Sequence, residues 1–311
     1  MSALTLKGPY WVTVRQHRRV LWAIPAVVAA SLAAVVALRA GAQAPYSDPS
    51  ALLPPDRGYD LLRLCLQSAG GALLFLPLLV GAFVAGPMTA RELESGTWRL
   101  ALSQSTTARA WLGAKVLVAA VVCGLGSAAL VGIYRLGWAR VYGTYQLHWA
   151  DRGPYEAGGP VLVAYCLLGV AVGVLVGQLV RRTLAAMAVT GLLVGLVLVA
   201  LGALRWSFLP VQTVITPFPR GSVAAGQPGS ALLMDAGLVT ATGERLPQYA
   251  CFERTGHMGD CPADMHVIGR YAEFHPVSHY WPTQLVEISL VLALAAGLLF
   301  AAFRLVRTRR V

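Results

Sequence analysis

Long uncharged stretches alternate with short charged ones along this chain. Five runs without a charged residue, 20–38, 64–90, 116–134, 157–180 and 183–204, are rich in Leu, Val, Ala and Gly. Each has at least 19 residues, and a helix needs roughly 20 to cross about 30 Å of hydrocarbon. A sixth run, 288–303, has 16 residues and lengthens to Gln284 if Glu287 occupies the first turn, where the helix dipole favours a carboxylate. The pattern predicts an all-α membrane protein with six transmembrane helices. The first run has 19 residues, no evident small-residue cleavage site and five further spans behind it, so it reads as a span and not as a cleaved leader.

The polar intervals divide the chain. Residues 1–19 precede the first span; 20–204 hold spans one to five, with a cytoplasmic loop at 89–115; 205–283 form an extracellular subdomain between spans five and six; 284–311 carry span six and a basic cytoplasmic tail. The stretch from Pro9 to Arg19 reads as an interfacial helix, with Pro9 in its first turn, Trp11 at the interface and Arg15, Arg18 and Arg19 facing anionic headgroups; a plain basic flank fits the same charges. In the 89–115 loop a helix over Thr89–Ser95 would stop at Gly96. Trp98, Leu100 and Leu102 would then pack on the membrane face, with Arg91, Glu92 and Glu94 in water. A solvated loop with one helical turn is the blander reading of these residues. In the outer segment, Met234–Leu238 reads as a hairpin turn between two short apolar runs, and Trp206–Pro210 as a stretch resting in or re-entering the interface.

Composition agrees with a membrane protein: 57% of the 311 residues are hydrophobic and 13% charged, against about 25% charged in soluble domains. Charge also sets an orientation. The loops on the side of the termini carry 14 Lys and Arg against Glu92 and Glu94, a net +12, while the remaining 11 Arg and 12 acids leave the other side at −1. The excess of basic residues predicts cytoplasmic termini. It also accounts for the pI near 9.9 without nucleic acid, and no helix-turn-helix, zinc-finger or RNA-binding signature is present.

Candidate chemistry is sparse. Cys251 and Cys261 fall on the oxidising side, where a disulfide and two free thiols are both open readings. His257, His266, His275 and His279 share that segment, but their spacing fits no standard zinc pattern. Cys65, Cys123 and Cys166 read as packing residues. Glu287, Arg63, Arg135 and Arg140 sit near span ends, within reach of interface or water, so no proton relay is expected. No phosphate loop, His-Glu-x-x-His or Gly-x-Ser-x-Gly is present, so the chain reads as a non-enzyme that needs a partner to supply energy. Gly169, Gly173 and Gly177 in span four, and Gly191 and Gly195 in span five, predict close helix packing, within the chain or between two copies.

Three stretches resemble the ABC-2-type permeases of ATP-binding-cassette exporters, especially short actinobacterial members: Trp11–Arg18, Arg91–Arg99 with Gln104, Arg109, Trp111 and Lys115, and His275–Glu287 leading into an arginine-rich end. The resemblance implies a connecting helix at the N-terminus and a coupling helix between spans two and three. It puts Arg91, Glu92, Glu94, Gly96, Thr97 and Arg99 at or beside an ATPase contact. It further implies two copies of a separate ABC ATPase that bind ATP and Mg, a second permease chain (identical or related), no cofactor in this chain, and a bacterial plasma membrane. A path for an amphipathic drug, antibiotic or lipid would run along spans two and five, past Gln67, Phe75, Met187 and Thr190. A non-transporting scaffold or sensory subunit with an extracellular ligand-binding domain is the alternative.

Overall fold

The computed structural model describes residues 8–16, 18–42, 57–99, 107–141, 147–217, 230–257 and 261–308. It divides into two compact units. One comprises Met1–Arg205 with Gln284–Val311, and the other Trp206–Thr283.

Six helices in the described residues are long and apolar enough to cross a membrane: Leu21–Gly41, Arg57–Ser95, Ala108–Val141, Val161–Val180, Thr183–Ser207 and Val277–Arg307. The protein is a multi-pass membrane protein, mostly helical. Span four is the central element, since 83% of its apolar window is buried against at most 39% in the other five. Its small face explains why. A Cβ on Gly169 would lie 2.6 Å from the Pro77 carbonyl oxygen, and one on Gly173 would lie 2.7 Å from the Gly86 nitrogen. The glycine stripe is therefore filled by span two of the same chain. Around this contact Val80, Met88, Trp111, Leu112, Cys123, Cys166 and Val174 form a buried apolar cluster. Cys65, by contrast, is exposed.

Span two is not a plain helix. Arg57–Leu73 ends in a turn, Leu76–Leu79 restarts the helix, Val80–Ala85 is π-helical and Gly86–Ser95 is α-helical again. Prolines explain the sequence of changes. Pro77 begins the restarted helix, and the widened turn runs straight into Gly86-Pro87, so that the Gly86 N–H reaches back five residues to the Gly81 carbonyl. A proline in the following turn lacks the donor an α-register would demand, and a π-bulge absorbs that defect.

The Trp206–Thr283 unit corrects the all-α expectation. Strands β1 (Gln212–Pro217), β2 (Leu232–Thr240), β3 (Arg245–Pro247) and β4 (Val267–His275) form an antiparallel sheet in the order β1-β4-β2-β3. The hairpin turn expected at Met234–Leu238 is absent, because these residues lie within continuous β2. Gly237 is not a turn residue: a Cβ there would stand 2.4 Å from the Leu246 carbonyl oxygen and 2.7 Å from the Tyr271 ring. In a strand, glycine often marks such a close approach. Asp235, the other apparent turn signal, accepts a 3.0 Å hydrogen bond from the Tyr271 hydroxyl. The Trp206–Pro210 stretch begins as a 3-10 turn, Arg205–Ser207, ahead of β1. Cys251 and Cys261 are disulfide-bonded, with a Cα separation of 4.8 Å.

One buried titratable group in this unit yields a prediction. The His275 ring is 1% exposed, with Nε2 3.1 Å from the Trp206 carbonyl oxygen and Nδ1 3.0 Å from His279 Nδ1. A carbonyl only accepts, so Nε2 carries the proton, and His275 Nδ1 accepts from His279 Nδ1–H. Burial first, and the neighbouring His279 second, hold the His275 pKa below its ordinary value, partly offset by the bond to Trp206. The unfolded chain thus takes up the extra proton first, and the stability of this unit falls as pH drops below about 6.5. Hydrogen exchange of β4 amides in the full chain, corrected for intrinsic rates, is expected to be faster at pH 5.5 than at 7.5. Equal protection at both would reject a neutral His275.

Candidate coupling site

The helix Gly86–Ser95 is the end of span two itself, longer at its start than the Thr89–Ser95 expected. It stops where foreseen: Gly96 takes φ +74°, a left-handed position that glycine adopts without a Cβ clash. The chain then turns with the Arg99 N–H bonded to the Gly96 carbonyl at 3.1 Å and the Ser95 and Thr97 hydroxyls 2.9 Å apart. All six expected coupling residues, Arg91, Glu92, Glu94, Gly96, Thr97 and Arg99, therefore lie around one helix end. Leu100, Leu102 and Gln104 lie outside the described residues.

Both carboxylates are held by other helices. Glu92 Oε1 is 2.6 Å from Lys115 Nζ of span three, and Glu92 Oε2 accepts the Trp111 Nε1–H at 3.0 Å. Lys115 is 3% exposed; it also donates to the Met88 carbonyl at 2.9 Å and stands 4.9 Å from the centre of the Trp111 ring. Glu94 reaches the other way: its Oε2 accepts the backbone N–H of Thr183 at 2.8 Å and the Thr183 hydroxyl at 2.5 Å. A side-chain oxygen on the first free N–H groups is what a helix N-terminus lacks. Here another helix supplies it to span five.

One end of span two is thus tied to span three through Glu92 and to span five through Glu94. Arg91, Thr97 and Arg99 remain exposed. The half-buried Trp98 packs on the apolar cluster, with the Arg99 guanidinium 5.7 Å from its ring centre. Arg91 and Glu94 are exposed as expected, although Glu94 is also held by Thr183; Glu92 alone is drawn in, against span three.

The residues proposed for a path are less coherent. Gln67 and Phe75 are exposed on span two, Phe75 by 61%, and Met187 is half-buried. Thr190 is 0% exposed, wedged against Gly81 and Gly86 in the contact between spans two and five. The four do not share one surface of a single chain.

Sequence reasoning missed a second polar cluster. Glu287 is fully buried and not near water: Arg205 Nε and Nη2 donate to its two oxygens at 2.9 and 2.8 Å. The available signal was the spacing of Gln284 and Glu287, three residues apart and hence on one face of an otherwise apolar helix.

Six apolar helices, with span four glycine-packed at their centre and the end of span two capped and braced, make a polytopic helical bundle. The chain belongs to the family described as ABC-2 membrane transporter related, which matches residues 21–205. No curated protein and no solved structure matches it. Membership makes the chain an ABC transporter permease, a class that associates with an ABC ATPase at a membrane.

Proposed function

We propose that the chain is the membrane subunit of an ATP-driven exporter in a bacterial plasma membrane, with both termini cytoplasmic. Two copies of a separately encoded ATPase bind ATP and Mg and do the hydrolysis; a second permease chain, identical or related, completes the path, and this chain itself is not an enzyme. The observation that carries the reading is the end of span two. It offers Arg91, Thr97 and Arg99 outward, while Glu92 and Glu94 fasten the same turn to spans three and five. A push on that turn reaches three spans at once. The helix Pro9–Gln16, with Trp11 46% exposed and Arg15 stacked 4.9 Å from its ring centre, fits a connecting helix lying in the interface. The cargo is an amphipathic drug, antibiotic or lipid that meets the exposed Phe75 and the half-buried Met187.

Co-purification with the ATPase encoded beside this chain tests the proposal. Complex formation is expected, and reversing charge at Arg91→Glu and Arg99→Glu together should weaken it by roughly tenfold or more, since like charges now oppose the docking face. Membrane insertion and folded yield should stay unchanged, because neither arginine is buried. An ATPase that never associates, or one indifferent to both reversals, refutes this docking surface.

A further inference from the structure

The second polar cluster lies where the chain leaves the bundle for residues 206–283 and returns to it. Arg205, the last residue before that segment, is 2% exposed; Gln284, the first after it, is 0% exposed. Both exits are tied to the same connector, residues 147–160, which leads into span four. Arg205 Nη2 donates to Glu156 Oε1 at 2.8 Å, and its guanidinium lies 4.0 Å from the centre of the Tyr155 ring. Gln284 Nε2 donates to the Tyr155 carbonyl at 2.8 Å, and its oxygen accepts the Val161 N–H at 3.1 Å.

Glu287 is the hub. Its Oε1 accepts from the Tyr165 hydroxyl at 2.5 Å and from Arg205 Nη2 at 2.8 Å; its Oε2 accepts from Arg205 Nε at 2.9 Å and from the Tyr155 hydroxyl at 3.1 Å. The four bonds come from the connector, span four and span five. No separation of any one of these leaves the carboxylate satisfied, and a buried charge robbed of its partner is strongly unfavourable. The contrast is Arg152, whose side chain is 47% exposed while it pairs with Glu156 at 3.2 Å, so that water can take the place of Glu156 on its guanidinium. A pair meant to part in each cycle needs such access to water, and Arg205–Glu287 has none.

We infer that the connector, the adjoining ends of spans four, five and six, and both exits of the 206–283 segment move as one body during transport, with Arg205 as the positioning residue that fastens them. The rearrangement driven by ATP falls on the remaining contacts. This rests on the ATP-driven reading, and the experiment separates the two.

The test uses Gly159→Cys with Gln284→Cys. A Cβ on Gly159 would meet the Gln284 amide at 2.1–2.5 Å, so shortening Gln284 makes room and brings the thiols together. ATP hydrolysis by the complex is measured reduced, then after bridging by a short thiol cross-linker. No hydrolysis by the unsubstituted complex counts against the ATP-driven reading alone. With hydrolysis present, the bridge is expected to leave it within about twofold. Arg205→Lys keeps the charge but loses the two-point fork; it should lower hydrolysis by about fivefold or more, and the bridge should restore it. A bridge that stops turnover, or fails to rescue Arg205→Lys, overturns the inference. Without any ATPase, hydrogen exchange of the full chain in liposomes gives a second reading. Peptides covering 161–165, 198–205 and 284–291 should lose protection together in Arg205→Lys, and loss confined to one of them overturns it equally.

Discussion

Gly173→Ala is expected to lower the stability of the bundle sharply, although the same change elsewhere in a helix is normally a gain. A Cβ at position 173 would stand 2.6 Å from the Ala85 Cβ, 2.7 Å from the Gly86 nitrogen and 2.9 Å from the Ala85 carbonyl carbon. Two of these are backbone atoms, so no rotamer change relieves the clash. Spans two and four have to move apart at the most buried part of the molecule. Overpacking of this kind costs about 1–3 kcal/mol for modest additions, and Gly173→Leu should exceed that range and abolish folded yield. Gly132→Ala in span three is the control, since among the described residues nothing lies within 4 Å of a Cβ there. It should be neutral or slightly stabilising through helix propensity. Thermal unfolding of the detergent-extracted variants, followed by size-exclusion chromatography, checks both. Equal midpoints for the two alanine variants would show that spans two and four are not in this contact.

The same glycines show how far the chain could be read from its sequence. Six spans were legible because hydrocarbon tolerates no charge, and the spacing of the charged residues records that demand directly. Gly169, Gly173 and Gly177 recur every four residues and so announce a small helix face, but not which helix fills it. Gly96 was legible as a helix stop because a left-handed cap is a local requirement. The start of that helix was not, since Gly86-Pro87 reads as a break until the π-helical turn before it is seen.

Long-range polar pairing left little trace. Arg205 and Glu287 are 82 residues apart, and each alone looks like a charge at a span end. Glu94 and Thr183 are 89 residues apart, and nothing local marks a carboxylate that caps another helix. The sheet was misread for a related reason: Asp235 and Gly237 look like turn residues, yet both are explained by Tyr271 on the neighbouring strand. A side chain that answers to a partner in three dimensions carries the wrong local signal.

That principle alters what Glu92→Ala should do. As a surface contact to an ATPase it would lose coupling and leave the chain intact. With Lys115 3% exposed and held by Glu92 at 2.6 Å, the substitution instead strands a buried ammonium on span three. Breaking a buried pair from one side costs about 3–5 kcal/mol, and the lower end applies here because the Glu92 side chain retains some exposure. Trp111 Nε1 also loses its acceptor. Lys115→Met alone is expected to be milder, because Glu92 is nearer to water and keeps the Trp111 bond. The double variant Glu92→Leu/Lys115→Met should recover most of the loss, since two apolar groups of similar length replace the pair without leaving either charge behind. The unfolding midpoints of the parent, Glu92→Leu, Lys115→Met and the double variant form a double-mutant cycle. Strong coupling in the cycle, with ATPase stimulation still reduced in the stable double variant, would separate the two roles of Glu92: it braces span two against span three, and through that brace it carries the ATPase's movement into the membrane. Additive effects would mean that Glu92 and Lys115 act independently, and the transmission route would then run through Glu94 and Thr183 instead.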